Sequence, residues 1–177
     1  MILVAAPLRH GSLVGRENTS PPLLDLLINH IHLRFHERHR EDLPQLTALA
    51  RHLELDTVRT APILRGLPSM LEEFRSLLEP HMEMEETVLF PAMRSGYESE
   101  IESSAFRMLR EHDLQEAALA SIEKAARQLA AMETDSCKSL HEGLVTFCRD
   151  LKDHIWLEND VLLSVFGRFN ARPRVLS

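Results

Sequence analysis

The sequence predicts an all-α protein built as an antiparallel, up-down-up-down four-helix bundle. Long segments repeat apolar residues every three or four positions, which is the spacing of one face of an α-helix. No segment alternates polar and apolar residues with a period of two, the pattern of a half-buried β-strand. The 177 residues contain only six glycines and nine prolines, which cluster between the periodic segments. Short connections between long helices place neighbouring helices antiparallel.

The first helix is predicted to begin at Ser20-Pro21-Pro22. A serine hydroxyl can cap a helix, and prolines suit its first turn because the N–H groups there have no partner within the helix. Pro44 is expected to break or kink this helix after Leu43, since proline cannot donate a backbone hydrogen bond. A shorter helix is then expected over residues 45–56, followed by a connection over residues 57–68.

Three longer helices are predicted over residues 69–93, 101–132 and 136–166. Ser95-Gly96 separates the first of these from the second. Thr134-Asp135-Ser136 separates the second from the third and offers side chains that can cap a helix. The chain therefore has four main helices joined by short loops, which is the arrangement of a bundle.

The predicted organisation is a leader over residues 1–20, one bundle domain over residues 21–167 and a tail over residues 168–177. The formal net charge of −7 argues against a nucleic-acid partner, because such binding depends on clustered Lys and Arg. No apolar run approaches the roughly 20 residues that span a membrane. Cys137 and Cys148 match neither a disulfide framework nor a zinc pattern, so they are predicted to be reduced thiols of a cytoplasmic protein.

Polar residues interrupt the apolar face of each later helix for about one turn. The apolar positions are Leu67, Met70, Phe74, Leu77, Val88 and Leu89; Ile101, Ala105, Met108, Leu119, Ile122 and Leu129; and Leu140, Leu144, Phe147, Leu151, Val161 and Val165. The interruptions are His81 and Glu85, then His112 and Gln115, then His154 and Glu158. The first helix has an apolar face of Leu24, Ile28, Ile31 and Phe35, with His32, His36 and His39 at its far end.

These interruptions predict a metal site. A buried carboxylate without a partner costs several kcal/mol, so Glu85 and Glu158 must be neutralised. A histidine four residues before each glutamate lies on the same helix face, and two such pairs on facing helices can surround two cations. The neighbouring acidic residues Glu83 and Glu86 are predicted to face solvent. Imidazole and carboxylate ligands suit iron, although zinc and copper also accept imidazole.

The two pairs are copies of one pattern, H-[MI]-x-[ML]-E-x-x-V-L, which recurs 73 residues apart at His81 and His154. The pattern suggests that each pair is joined by a single histidine from the preceding helix. His112 precedes His154 by 42 residues, and His39 precedes His81 by the same number. His36 precedes His81 by 45 residues. The count favours His39 and leaves His36 open, because three residues is nearly one helical turn.

The chain resembles the iron–sulfur cluster repair proteins, the di-iron branch of the hemerythrin-like (HHE) superfamily, over about four-fifths of its length. The segments that carry the resemblance are Phe35-His36-Glu37-Arg38-His39-Arg40, Leu43-Pro44, the run from His81 to Pro91, Glu111-His112-Asp113, and His154-Ile155-Trp156-Leu157-Glu158-Asn159. The resemblance implies two iron ions bridged by carboxylates and an oxo or hydroxo group. It implies that the bridges are Glu85 and Glu158 and that the terminal ligands are His36, His81, His112 and His154. It thereby chooses His36 over His39.

The resemblance also implies a function. The protein would act in nitrosative or oxidative stress by supplying iron to damaged iron–sulfur proteins or by handling nitric oxide. The alternative is a hemerythrin-like module that binds or senses dioxygen or nitric oxide without repair activity. Two departures from the family are expected to matter. Thr57 stands where the family has a further histidine ligand, with His52 nearby, and residues 1–20 do not resemble the small cysteine-containing domain that often precedes the bundle.

Overall fold

A computed structural model describes residues 22–57, 64–132 and 134–166 of the chain. These ranges contain four main helices and no strand, which confirms the predicted all-α bundle. Helix α1 spans residues 22–57, α2 residues 67–95, α3 Glu98–Leu129 and α4 residues 135–166, and each helix packs against two others in the cyclic order α1, α2, α3, α4. The predicted leader and tail lie outside the described residues, and the domain boundaries stay a prediction.

Helix α1 does not end at Leu43 as the sequence suggested. It continues through Pro44 to Thr57, so the predicted short second helix is the distal half of α1. A proline inside a helix costs about 3 kcal/mol, whereas burying one leucine contributes roughly 1.5–3 kcal/mol. The helix around and beyond the proline buries several apolar side chains against the core, namely Leu43, Leu46, Ala50 and Leu53. Their burial outweighs the lost hydrogen bond, and Pro44 itself faces solvent.

Three of the helices contain a π-helical turn, in which a carbonyl accepts a hydrogen bond from the N–H five residues later. Within the described ranges these turns are His32–His36 in α1, Glu85–Leu89 in α2 and Leu157–Leu162 in α4. In α2 and α4 the accepting carbonyls belong to Glu85 and Glu158 themselves. Such turns occur frequently at functional sites, and here each one includes a predicted metal ligand.

The π turns explain why some predicted core positions are wrong. Each turn adds one residue to the helix repeat, so the buried face beyond it advances by one position. Leu89 is fully buried while Val88 is 43% exposed, and Leu162 is fully buried while Val165 is 50% exposed. Leu77 precedes the turn in α2, so the turn does not explain why this prediction is wrong: Leu77 is 43% exposed, and the core contains Leu78 instead.

The core of the described chain consists of two apolar clusters with a polar layer between them. The larger cluster includes Leu78, Leu119 and Leu151 on one side of that layer. The smaller cluster includes Met108 and Leu162 on the other side. Every predicted metal ligand lies in the layer between the clusters, which shields it from water. Among the described residues, no helix is both long and apolar enough to cross a membrane.

The helix ends confirm two of the predicted connections. Gly96 ends α2 in the left-handed conformation, with φ of 72°, which a residue without a Cβ adopts readily. The Tyr97 N–H then donates to the Ala92 carbonyl at 3.1 Å. Thr134 caps α4, because its hydroxyl accepts a hydrogen bond from the Cys137 N–H at 3.3 Å. These caps satisfy backbone groups that a helix end otherwise leaves without partners.

The cysteine thiols are expected to be inert in the native protein. Cys137 and Cys148 are both unpaired and buried, and burial, reinforced by the charge of Glu123, raises the pKa of Cys148 to about 12. Because the thiolate is the reactive form, a disulfide-exchange reagent at pH 8 should label neither thiol until denaturant is added. Rapid labelling of one thiol per folded chain would show that α4 opens locally. The same reaction in denaturant provides the full count.

Candidate metal centre

The six predicted metal ligands meet in the polar layer of the bundle. All four helices contribute, and each of these side chains is at most 2% exposed. In the described part of the chain they form two groups of four, and the ligand atoms within each group lie within 4.8 Å of one another. The first group is His36, Glu85, His154 and Glu158, and the second is His81, Glu85, His112 and Glu158. Both carboxylates therefore belong to both groups.

Glu85 turns one carboxylate oxygen towards each group. Its Oε2 lies 3.3 Å from His36 Nε2, and its Oε1 lies 3.3 Å from His81 Nε2. The two histidines within each group also present Nε2 to each other. The distance is 3.1 Å between His36 and His154 and 3.1 Å between His81 and His112. Two nitrogens and a carboxylate oxygen thus converge in each group.

Glu158 completes both groups from the opposite helix. Its Oε1 lies 3.0 Å from His154 Nε2, and its Oε2 lies 3.1 Å from His112 Nε2. Neighbouring ligands of an octahedral ion with bonds of about 2.1 Å lie about 3 Å apart. The observed separations between ligand atoms match that spacing. The geometry therefore suits one metal ion in each group.

The surroundings of Glu85 and Glu158 suit a bound cation, because the described part of the protein leaves these buried carboxylates without hydrogen bonds. Both oxygens of Glu85 and of Glu158 are buried and make no hydrogen bond with any described residue. Burial alone would lower the pKa of His36, but the nearby carboxylates of Glu158, Glu85 and Glu86 raise it to about 11. The pKa of Glu158 falls although burial opposes this, because His154, His112 and His36 favour its ionised form. Without a metal, buried histidines must hold protons to neutralise these carboxylates.

Burial dominates the pKa of His154 and lowers it. The pKa of His112 is instead raised, because the nearby carboxylates of Glu158 and Glu85 outweigh the effect of burial. The histidines of the layer therefore differ in proton affinity. A metal ion that displaces the protons would remove this difference by taking the Nε2 lone pairs.

Outer hydrogen bonds hold three of the four histidines with Nε2 pointing inward. His36 Nδ1 lies 2.7 Å from Glu86 Oε1, and His81 Nδ1 lies 3.0 Å from Glu111 Oε2. His112 Nδ1 lies 2.8 Å from the Asn159 amide oxygen. A metal-binding histidine almost always donates its other N–H in this way, which fixes the ring and its tautomer. The outer bonds are the arrangement expected for metal ligands.

Arginines anchor the two outer carboxylates in turn. Arg40 donates to Glu86 at 2.8 and 3.1 Å, and Arg107 donates to Glu111 at 2.8 Å. Burial would raise the pKa of Glu86, but His36 and Arg40 lower it to about 2. The hydrogen bond from His81 is the main reason that the pKa of Glu111 falls to about 2. The prediction that Glu86 faces solvent is therefore wrong, whereas Glu83 is exposed as expected.

Residues 27–166 match the family model described as the hemerythrin HHE cation binding domain. The chain belongs to the hemerythrin HHE family. Among the curated relatives of this hemerythrin-family chain are the iron-sulfur cluster repair proteins YtfE of Salmonella paratyphi B, Salmonella newport and Salmonella heidelberg. Each is 34% identical over 144 residues, which is 80% of this chain and 64% of the relative. The chain thus spans less than two thirds of the length of these relatives.

In this hemerythrin-family bundle, the structure places His36 rather than His39 in the ligand layer. His36 precedes His112 by 76 residues, whereas Glu85 precedes Glu158 by 73. The counts differ because the connection between α1 and α2 is longer than the one between α3 and α4. Counting along the chain therefore could not fix the register of α1. His39 is fully buried one turn away.

The position of Thr57 bears on the predicted loss of a family ligand. Thr57 ends α1, and its side chain lies outside the described residues. It follows His36 by 21 residues along one helix, a separation of roughly 30 Å at 1.5 Å per residue. The effect of Thr57 in place of the family's further histidine stays a prediction, and His52 lies on an exposed part of the same helix.

Proposed function

We propose that this chain is a non-haem di-iron protein of the iron–sulfur cluster repair type, which acts in nitrosative and oxidative stress. The observation that carries the proposal is the pair of fully buried carboxylates, each with one oxygen near each of two histidine pairs. In the proposed centre, Glu85 and Glu158 bridge two ions and each ion takes one histidine pair.

The donor set supports iron as the metal. Four imidazole nitrogens and four carboxylate oxygens form a mixed site of intermediate hardness, which iron accepts. With one oxo or hydroxo group shared between the ions, these ligands fill ten of the twelve positions of two octahedral ions. When bound, the irons supply electrons and binding positions for a diatomic ligand such as dioxygen or nitric oxide. The protein holds the ligand set in place and keeps bulk water out with an apolar cluster on either side.

The relatives favour repair over simple ligand binding. They are named as iron–sulfur cluster repair proteins, so we infer that damaged iron–sulfur proteins are the partners and that the centre supplies iron or handles nitric oxide. The second candidate, a module that binds or senses dioxygen or nitric oxide, rests on the family being one of cation-binding domains. A cytoplasmic location and the absence of nucleic-acid and membrane partners stay predictions.

Iron loading tests the di-iron proposal. Purified chain reconstituted anaerobically with iron(II) and then separated from free iron should retain about two irons per chain. The electronic spectrum of the oxidised form should show the charge-transfer bands of a bridged di-iron centre. Retention of less than about one iron would remove both the repair and the sensing hypotheses. The Glu85→Leu, Glu158→Leu chain is the control for iron that adheres elsewhere.

A repair assay separates the two candidate functions. The iron-loaded chain is incubated with an enzyme whose [4Fe–4S] cluster has been damaged by nitric oxide, and the recovery of that enzyme's activity is measured. The proposal predicts recovery that depends on the amount of loaded chain and is absent with the double glutamate variant. A chain that binds nitric oxide reversibly but restores no activity would support the sensing module instead.

A further inference from the structure

One of the four histidines in the metal layer has no outer hydrogen bond. His36, His81 and His112 each direct Nδ1 at a carboxylate or an amide oxygen within 3.0 Å. The Nδ1 atom of His154 is buried and has no hydrogen-bond partner in the described ranges. Phe35 stacks on its ring at 5.1 Å, with 6° between the planes, and offers no acceptor. His154 therefore lacks the outer contact that the other three histidines have.

His39 is the complementary case. It is fully buried, and neither Nδ1 nor Nε2 has a hydrogen-bond partner among the residues that the structure describes. Its ring lies 5.3 Å from the His154 ring, centroid to centroid, with 38° between the planes. A neutral imidazole has one nitrogen with a free lone pair, which can accept a hydrogen bond.

We propose that His39 is the hydrogen-bond acceptor for the Nδ1–H of His154 and so positions His154 as a metal ligand. The inference rests on the proposed di-iron function. A ring separation of 5.3 Å brings two imidazole nitrogens into hydrogen-bond range once the rings are aligned. The alignment needs rotation about χ2 of His39, a torsion with a broad energy minimum. His39 thus acts through His154 and does not itself bind metal.

The assignment gives the two ions equivalent surroundings. In the His81/His112 group, one histidine donates to the carboxylate of Glu111 and the other to the neutral amide of Asn159. In the His36/His154 group, His36 donates to the carboxylate of Glu86. A neutral acceptor for His154 completes the same pattern. Each ion then has one histidine with a charged acceptor, which makes the imidazole more basic, and one with a neutral acceptor.

Packing alone does not account for a histidine at position 39. Its ring contacts Phe35 and Phe147, whose centroids lie 6.2 and 5.4 Å away. A leucine or a phenylalanine would fill such surroundings without leaving two buried nitrogens unpaired, which costs folding free energy. The histidine is therefore expected to lower the stability of the metal-free chain. In the iron-loaded chain, the same histidine is expected to strengthen metal binding by positioning His154.

The test compares His39→Leu with wild type and with Thr47→Val. Thr47 is a matched control because it is a buried polar residue on the same helix as His39, and its hydroxyl donates to the Leu43 carbonyl at 2.7 Å. Iron(II) affinity is measured anaerobically by competition with a chelator. His39→Leu should weaken one of the two irons by about 10- to 100-fold and leave the other unchanged. Thr47→Val should leave both affinities at the wild-type value.

Two further measurements exclude a merely structural role. The metal-free His39→Leu chain should unfold at a higher denaturant concentration than wild type, so weaker iron binding cannot be attributed to damage. His39→Asn or His39→Gln, which restore a neutral acceptor, should recover part of the lost affinity. Wild-type affinity for both irons in His39→Leu would overturn the role of His39 while leaving the di-iron proposal intact. A wild-type chain that binds no iron would overturn both.

Discussion

Replacing Glu85 and Glu158 together with leucine is expected to abolish iron binding and to make the metal-free protein more stable. Both carboxylates are fully buried, and their ion-pair partners among the described residues are histidines. Exchanging a buried charge network for apolar side chains of similar volume is often neutral or stabilising by about 1–4 kcal/mol. Denaturant unfolding without metal and iron retention after reconstitution measure the two effects.

A matched double variant controls for the change in charge. Glu83→Leu with Glu142→Leu removes two carboxylates from the same two helices, but at positions that face solvent. It should bind iron like wild type, and its unfolding free energy should change by less than about 1 kcal/mol because exposed substitutions have small effects. If the buried double variant instead unfolds more easily than wild type, the glutamates are structural residues. If it retains two irons, the ligand assignment is wrong.

Single replacements at these glutamates are expected to behave differently from the pair. In Glu85→Leu alone, Glu158 still lies among four histidines that can offset its charge. This single variant should therefore still fold, and it should bind metal more weakly than wild type. Removing one partner of a buried charge network usually destabilises by more than removing the whole network. In a double-mutant cycle, the double variant should be more stable than the sum of the two single effects predicts. That result would show that the two carboxylates share one charge-balancing role.

The bundle and most of its ligand layer could be predicted because both depend on local spacing. Apolar residues three and four apart define helix faces, and a histidine four residues before a glutamate must share that face. His81 with Glu85 and His154 with Glu158 follow from this spacing alone. His112 follows from the same apolar face in α3. The family resemblance added the choice of His36, which repeat counting alone did not make.

What the sequence did not reveal depends on contacts between distant segments or on departures from ideal helix geometry. Glu86 lies off the core face of an ideal helix, and its contacts with His36 and Arg40 involve residues about 50 positions away. The π turns change helix phase without a distinctive residue, so regular spacing predicts Val88 in the core although it is 43% exposed. Pro44 predicts a helix end by local rules, but α1 continues through it because the apolar face that follows is buried.

Phe147→Ala is expected to destabilise the metal-free protein strongly. Phe147 on α4 is fully buried and meets Phe74 of α2 edge-on, with 5.7 Å between ring centroids and 89° between planes. It also meets His39 of α1 at 5.4 Å. Truncating a buried phenylalanine typically costs about 3–5 kcal/mol, because the cavity left behind collapses only in part. Denaturant unfolding of the metal-free chain should show this loss at an unchanged slope.

Iron should restore much of the stability that Phe147→Ala loses. A metal that binds the folded chain and not the unfolded one stabilises it in proportion to the logarithm of its free concentration over the dissociation constant. The ligand layer lies beside the cavity, so the loaded variant should unfold at a higher denaturant concentration than the metal-free variant. Val145→Ala, at a position 48% exposed on the same helix, is the control and should change the unfolding free energy by about 0.5 kcal/mol or less. If Phe147→Ala and Val145→Ala have equal unfolding curves, Phe147 does not contribute to the core as proposed. If iron-loaded Phe147→Ala is no more stable than the metal-free variant, the four helices of the variant no longer bring the ligands together.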